Sequence, residues 1–353
     1  LFNNLKENTR PEVAMRNITI IAALILVLFT GAYAGNSDAG KSAYSFLKIG
    51  VSAKAQAMGG AYAGLADDIG GLYYNPAGLT APSYIFAKTT VSYDEYGEGE
   101  EIHQETQVKP VAPNRFMATY LNYLLDFQSG YLGYVRSIDK KTALGVSLNY
   151  QSYGSFKRFD RQGTEQGTFG AYDLAVGAAY SKNVMDRFSL GVGGKFITES
   201  IDSYNSHALA FDLGVLYQLE GGRSSVGLAI TNLGAQLKGF SKSHKDPLPL
   251  VIDAGFAHHL RGLPLTATAD LIMPTDNDIY LALGGQFEAF SPFMIRLGWS
   301  SSGQDYKTNS DKDNMAGFSG GFGYNIREYS FDYSYSSYAD LGNVHRLTLS
   351  ADF

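Results

Sequence analysis

The chain has 353 residues, a net charge of −6, no cysteine, one tryptophan, 25 tyrosines and 40 glycines. The lack of cysteine excludes disulfides, thiolate metal sites and a lipidated N-terminal Cys. With no Lys/Arg-rich stripe, the mild acidity points away from nucleic acid. Many tyrosines beside a single tryptophan suit strands with aromatic girdles better than a helical enzyme.

The only long apolar run is ITIIAALILVLF at 18–29, with Arg16 before it and Ala32-Tyr33-Ala34 as a small-x-small cleavage pattern. It falls short of the roughly 20 residues a spanning helix needs, which favours a signal peptide over an N-terminal membrane anchor. Met15 is the expected start, residues 1–34 are the upstream stretch and signal peptide, and the exported chain is expected to begin near Gly35.

Residues 35–80 read as an N-terminal plug. They do not alternate in polarity, and Gly59-Gly60 and Gly70-Gly71 break them into short pieces that permit tight bends. In NPAGL, Asn75 is placed to cap a short helix beginning at Pro76, with Ala77 inside it and Gly78 ending it. Asp67-Asp68 are expected to cap the short helix before it. An apolar pocket between plug and wall would be touched by Phe46, Met58, Leu65 and Tyr73. Residues 81–114 are expected to form an extra hairpin or loop, with Ile85–Tyr93 as one arm.

From 115 to 353 one pattern dominates: runs of about ten residues that alternate in polarity between turn residues. Leu144, Val146, Leu148 and Tyr150 oppose Ala143, Gly145, Ser147 and Asn149. Leu209, Phe211, Leu213, Val215 and Tyr217 oppose Ala210, Asp212, Gly214 and Leu216. The expected strands are 115–123, 128–137, 142–153, 168–181, 187–199, 204–219, 223–233, 248–259, 263–272, 278–288, 292–301, 315–325, 328–337 and 344–353. Fourteen is even, as a single-chain bacterial barrel requires. The first of them, around Phe116–Tyr123, alternates poorly. The fold class is therefore all-β: a transmembrane antiparallel barrel with short helices plugging its interior. A soluble β-sandwich also alternates, but it would not end on an apolar edge strand. Here Leu347, Leu349, Ala351 and Phe353 form one face of the final strand and act as the expected insertion signal for barrel-insertion machinery. The opposite faces are rich in Gly and Ala, with sparse Asp173, Lys195 and Asp212, which leaves room for the plug.

No catalytic constellation stands out, so no enzyme and no cofactor are expected. GVGGK at 191–195 lacks the spacing of a phosphate loop. The adjacent His258 and His259 point to opposite faces of a strand, and no metal-ligand spacing occurs. The acidic run DEYGEGEE at 94–101 suits a solvated loop better than a Ca²⁺ site. Ser300–Asn314 and Lys238–Asp246 read as long loops on the outer side.

The run FLKIGVSAKAQAMGGAYAGLADDIGGLYYNPAGL at 46–79 resembles the N-terminal signature of the PorV/PorQ family of outer-membrane proteins. The NPA motif is also similar to one in the plug of the distant fatty-acid transporter FadL. DPLPL at Asp246–Leu250, ITNLG at Ile230–Gly234 and the ending DLGNVHRLTLSADF extend the likeness, whereas the stretch from Ser83 to Pro113 is longer than the family pattern. The resemblance implies a FadL-like barrel in the bacterial outer membrane, with its N-terminal segment inside. It implies a role in protein export and surface attachment of the type IX kind, with exported cargo or a translocon as partners. The alternative it implies is a FadL-like channel for hydrophobic molecules such as long-chain fatty acids.

Overall fold

The computed structural model describes residues 40–81, 112–241 and 244–353, and the backbone of four short strands, β1 (Tyr84–Phe86), β2 (Thr90–Ser92), β3 (Glu101–His103) and β4 (Thr106–Val108). The signal-peptide reading of 1–34 and nearly all of the acidic run fall outside the described residues. β1 pairs with β4 and β2 with β3, and neither pair joins the larger sheet.

That sheet is a closed antiparallel barrel of fourteen strands. In chain order they are β5 (Asn114–Asn122), β6 (Gln128–Asp139), β7 (Thr142–Phe159), β8 (Glu165–Met185), β9 (Phe188–Ile201), β10 (Tyr204–Gln218) and β11 (Ser224–Lys238). The circuit continues with β12 (Val251–His259), β13 (Leu265–Pro274), β14 (Tyr280–Phe290), β15 (Phe293–Ser300), β16 (Phe318–Ile326), β17 (Tyr329–Ser337) and β18 (Asn343–Asp352). The last strand closes on the first, with Leu347 opposite Tyr120, Leu349 opposite Ala118 and Ala351 opposite Phe116. Asn114 and Phe353 exchange backbone hydrogen bonds of 2.8 and 2.9 Å at the foot of that seam. Closure leaves no open edge, so every backbone donor of the wall can be paired without water.

Period-two alternation sorts the side chains as the sequence predicts. Leu144, Val146, Phe211, Leu213, Leu347 and Leu349 face outward and are exposed, while Ala143, Ala210 and Ala229 face inward and are buried. Such a continuous apolar exterior on a closed barrel is a lipid-facing surface. β5 alternates poorly in sequence for a simple reason: its inward Met117 and Leu121 are also apolar, and Met117 packs into the plug's own core.

β5 begins and β18 ends at one end of the barrel, called here the terminal end. The longest connections, 239–250 and 301–317, lie at the far end. The polar stretch after Ser300 is not featureless: it folds into 3-10 turns at Ser301–Tyr306 and Asp311–Met315, the second closed by a Ser310/Asp313 capping box. β7 and β8 run to 18 and 21 residues, past the expected 142–153 and 168–181. β6 accompanies β7 only as far as Ser152, so the upper part of that hairpin projects beyond the barrel rim with both faces exposed.

Candidate functional site

Residues 40–81 fill the lumen as short pieces: a 3-10 turn at Ser45–Lys48, helices at Ala53–Ala57 and Gly71–Tyr74, and a 3-10 turn at Pro76–Thr80. The helix at Ala53–Ala57 lies against β15–β18, and the turn at Pro76–Thr80 lies against β7–β10. Inward glycines make this fit possible. A Cβ on Gly227 would fall 1.9 Å from the Ala63 carbonyl oxygen, and one on Gly191 would fall 2.2 Å from the Pro76 backbone. Equivalent collisions face Gly214, Gly255 and Gly298. The expected reason for small inward residues is thus a close backbone approach on five strands.

Polar bonds fix the plug around the circumference. Ala53 N–H donates to Thr348 at 3.0 Å, Ala63 N–H to Asp270 at 2.7 Å and Gly59 N–H to Ser319 at 3.1 Å. From the wall, Ser225 donates to the Gly64 carbonyl at 2.6 Å, Arg115 to that of Leu79 at 2.6 Å and Arg346 to that of Gly50 at 2.9 Å.

Asn75 is fully buried and does three things at once. Its Oδ1 accepts from Ala77 N–H at 3.1 Å, capping the turn that starts at Pro76, and its Nδ2 donates to the Ala63 carbonyl at 2.9 Å and the Val215 carbonyl at 3.1 Å. Ala77 is buried beside it. Gly78 does not end the helix. The turn runs on to Thr80, and Gly78 instead lies where a Cβ would meet the Ala66 carbonyl at 2.2 Å. Gly59 and Gly60 both take positive φ, and Gly59 is pressed against the backbone of Trp299.

The two acids also differ from expectation. The helix at Gly71–Tyr74 is capped by Gly70 with no side-chain bond. Asp68 reaches one step short, accepting from Gly70 N–H at 2.7 Å. Asp67 caps nothing, because Lys54 draws it into an ion pair of 2.7 Å and Tyr62 donates to it at 2.8 Å. Burial works against the charge on Asp67, but the Lys54 ammonium and these hydrogen bonds outweigh it and hold its carboxyl below the usual range. Burial also opposes the Lys54 charge, and attraction to Asp67 and Asp68 overcomes it and raises Lys54. Asp68 moves up: burial, aided by repulsion from Asp67, prevails over the more distant Lys54.

Above the plug, toward the far end, lies a cup of about 240 Å³. Its floor is plug: Leu47, Lys48, Gly50, Gln56, Gly59, Gly60, Tyr73 and Tyr74. Its sides come from the upper parts of strands and the far-end loops, including Lys195, Asn232, Asp253, Tyr280, Tyr306 and Tyr338. Tyr73 and Tyr74 stand edge to face at 4.8 Å. Burial, then the neighbouring tyrosines, push the Tyr73 hydroxyl well above its usual value, and burial pushes Tyr74 up to about 12. Both are neutral donors at any physiological pH. Tyr73 spends its proton on the Leu47 and Ile49 carbonyls at 2.6 and 3.1 Å.

On the wall, a bulge shapes the cup. The β10–β11 register shifts between Phe211 and Leu213, and Asn232 takes φ of 61° with its N–H on Asp212 at 2.9 Å. That turns the Asn232 side chain toward Lys195, which donates to it at 2.8 Å and pairs with Asp212 at 2.9 Å. Lys48 pairs with Asp276 at 2.5 Å.

The predicted apolar pocket is not what forms. Of its four residues only Tyr73 lines the cup. Phe46 is buried among Ile197, Ala208, Ala210 and Leu248, Met58 is buried where Gly284 and Gly298 leave it room, and Leu65 packs against the plug's core. These side chains anchor the plug, which is why apolarity alone misplaced them. Lys195 and Asp212 were recognisable as inward charges on strands. Asn232, Asp253 and the three wall tyrosines converge from distant segments and carry no shared spacing. Among the described residues, no group of three or more His, Cys, Asp or Glu side chains could hold a metal ion.

A fourteen-strand closed barrel with its N-terminal segment folded into the lumen is thus the class of protein that the chain defines. The same fold occurs in solved structures with little sequence in common. The toluene transporter TbuX of Ralstonia pickettii matches at 13% identity and TM-score 0.52, over 85% of this chain and 97% of that one. A deletion mutant of the monoaromatic hydrocarbon channel TodX matches at 11% and 0.54, over 86% and 99%. The monoaromatic hydrocarbon channel CymD matches at 14% and 0.52, over 86% and 98%. No family model and no curated protein sequence matches the chain.

Proposed function

We propose that the chain is a FadL-like channel of the bacterial outer membrane that admits small molecules joining an aromatic or otherwise hydrophobic body to hydrogen-bonding groups. The observation that carries this reading is the cup: a pocket at the far mouth, floored by the plug and lined by five tyrosines alongside Lys48, Lys195, Asn232 and Asp253. A dry cavity of about 150 Å³ suffices for benzene, so about 240 Å³ suits one substituted ring. It lies below the roughly 300 Å³ at which pockets for drug-sized ligands begin, which disfavours a long acyl chain. A plain hydrocarbon would leave the polar lining unsatisfied, which selects for ligands that can hydrogen-bond.

The likeness to channels described as carrying toluene and monoaromatic hydrocarbons supports the transport reading over the export role that the PorV/PorQ resemblance implies, which the comparisons do not support. In this reading residues 1–34 direct export, the 239–250 and 301–317 loops face outside, and the belt ending in Leu347, Leu349, Ala351 and Phe353 meets outer-membrane lipid and guides insertion.

The test compares uptake in cells lacking the gene, complemented or not. Radiolabelled phenol or benzoate at low concentration should accumulate faster with the protein present, and palmitate should not. Equal accumulation of the aromatic probes in both strains would reject the proposal. Loss of surface proteins from the deletion strain, with uptake intact, would restore the export reading.

A further inference from the structure

The inner face of β12 and β13 carries two acids that no described basic side chain neutralises. Asp253 is 9% exposed and Asp270 is 1% exposed. In the ladder Asp253 stands opposite Ile272 and Gly255 stands opposite Asp270, so the two acids are diagonal neighbours on one face. Diagonal partners are within reach of side chains. A Cβ at Gly255 would lie 2.4 Å from Asp270 Oδ1 and 2.3 Å from the Gly64 nitrogen, so the Asp270 carboxylate reaches over β12 beside the plug backbone.

One Asp270 oxygen accepts the Ala63 N–H of the plug at 2.7 Å. Its Oδ1 has no partner, and neither has Asp253 Oδ1. Asp253 also borders the cup, which gives its side of the pair access to water and ions. Asp270 has backbone amide donors but no cation, Asp253 has neither, and setting two buried carboxylates side by side adds their repulsion. An all-oxygen donor set without His or Cys suits a hard cation, and Ca²⁺ tolerates an irregular shell completed by water better than Mg²⁺ does.

We propose that Asp253 and Asp270 bind one Ca²⁺ ion at the side of the cup, with water from the cup completing its shell. Bound there, the ion ties the wall to the carboxylate that holds Ala63, and so braces the plug. This site does not depend on which molecule the cup admits.

The full-length protein in detergent, stripped with chelator, is titrated with Tb³⁺. Tyr280 stands opposite Ile272, in the same row as Asp253, and serves as the sensitising donor. A saturable tyrosine-sensitised emission displaced by Ca²⁺ is expected. Removal of an outer-shell partner already costs roughly tenfold in metal affinity, so Asp253→Asn and Asp270→Asn should each cost more than that. Asp253 makes no hydrogen bond to the plug among the described residues, so its variant separates metal binding from folding. Glu165→Gln, at the exposed tip of the β7–β8 hairpin, should bind as the parent does. Ca²⁺ should also slow hydrogen exchange at Ala63 in the parent and not in Asp253→Asn. A parent without a saturable site would mean that the two acids share a proton instead, and it would overturn the proposal. So would an Asp253→Asn variant that binds unchanged.

Discussion

Asn75 shows how much a single side chain can carry in this interior. Its three hydrogen bonds cap one plug segment, hold a second and reach the wall. Replacement by Ala removes a cap and leaves two buried carbonyls without that donor, for about 2–3 kcal/mol in total. Scanning calorimetry in detergent should show a lower melting temperature, and protease should cut the plug of Asn75→Ala faster than that of the parent. The Lys54–Asp67–Asp68 group makes a pH-dependent contribution at both extremes. Asp67, held low, adds stability that is complete above the usual carboxylate range and fades as pH falls through its lowered value. Lys54, held high, adds stability that is complete below the usual lysine value and fades as pH rises through its raised one. Protection of the plug amides, measured relative to their intrinsic exchange rate at each pH, should therefore stay high through neutrality and fall at both ends. Asp68 is held high, so its ionisation costs stability near neutrality. Asp68→Asn keeps an acceptor for Gly70 and should seat the plug at least as firmly as the parent. Asp67→Asn leaves Lys54 only the more distant Asp68, at 3.7 Å, and should loosen the plug by about 1–3 kcal/mol, less than for a fully buried pair.

At the scale of elements, the fit of plug to wall rests on missing side chains. Gly227→Ala would force a methyl into the Ala63 carbonyl. The atom in the way is backbone, so the plug segment must move at a cost of about 1–3 kcal/mol. Liposome swelling with small sugars should be faster for this variant than for the parent, and an unchanged rate would show that the seal does not depend on this contact. The strands were legible in the sequence because lipid and lumen demand opposite chemistry at every second residue. Legibility failed where the lumen is itself greasy, as at Met117 and Leu121 of β5. It failed again where a strand outgrows the bilayer: past Ser152 both faces of β7 meet water, so alternation no longer marks its end. The bulge at Asn232 was present in the quoted ITNLG segment, but a one-residue register shift leaves no mark in composition.

For the whole molecule, the architecture was readable and the site was not. Strand count, closure and an occupied interior follow from a period, a terminal ribbon and a run of small inward residues. The cup depends on which plug residues face it and on side chains brought together from far-apart strands, and neither is a local property. Phe46 and Met58 illustrate this, since both are as apolar as expected and both turn away from the cup to pack against the wall.

Both strands of the last seam hold the plug: β18 through Arg346 and Thr348, and β5 through Arg115. Thr348 also touches Thr119 across the join at 2.8 Å. Closure of the cylinder and seating of its cork accordingly draw on the same two strands. Deleting residues 40–81 should therefore lower the resistance of the closed cylinder to heat in detergent, because its final join loses partners along with its cork.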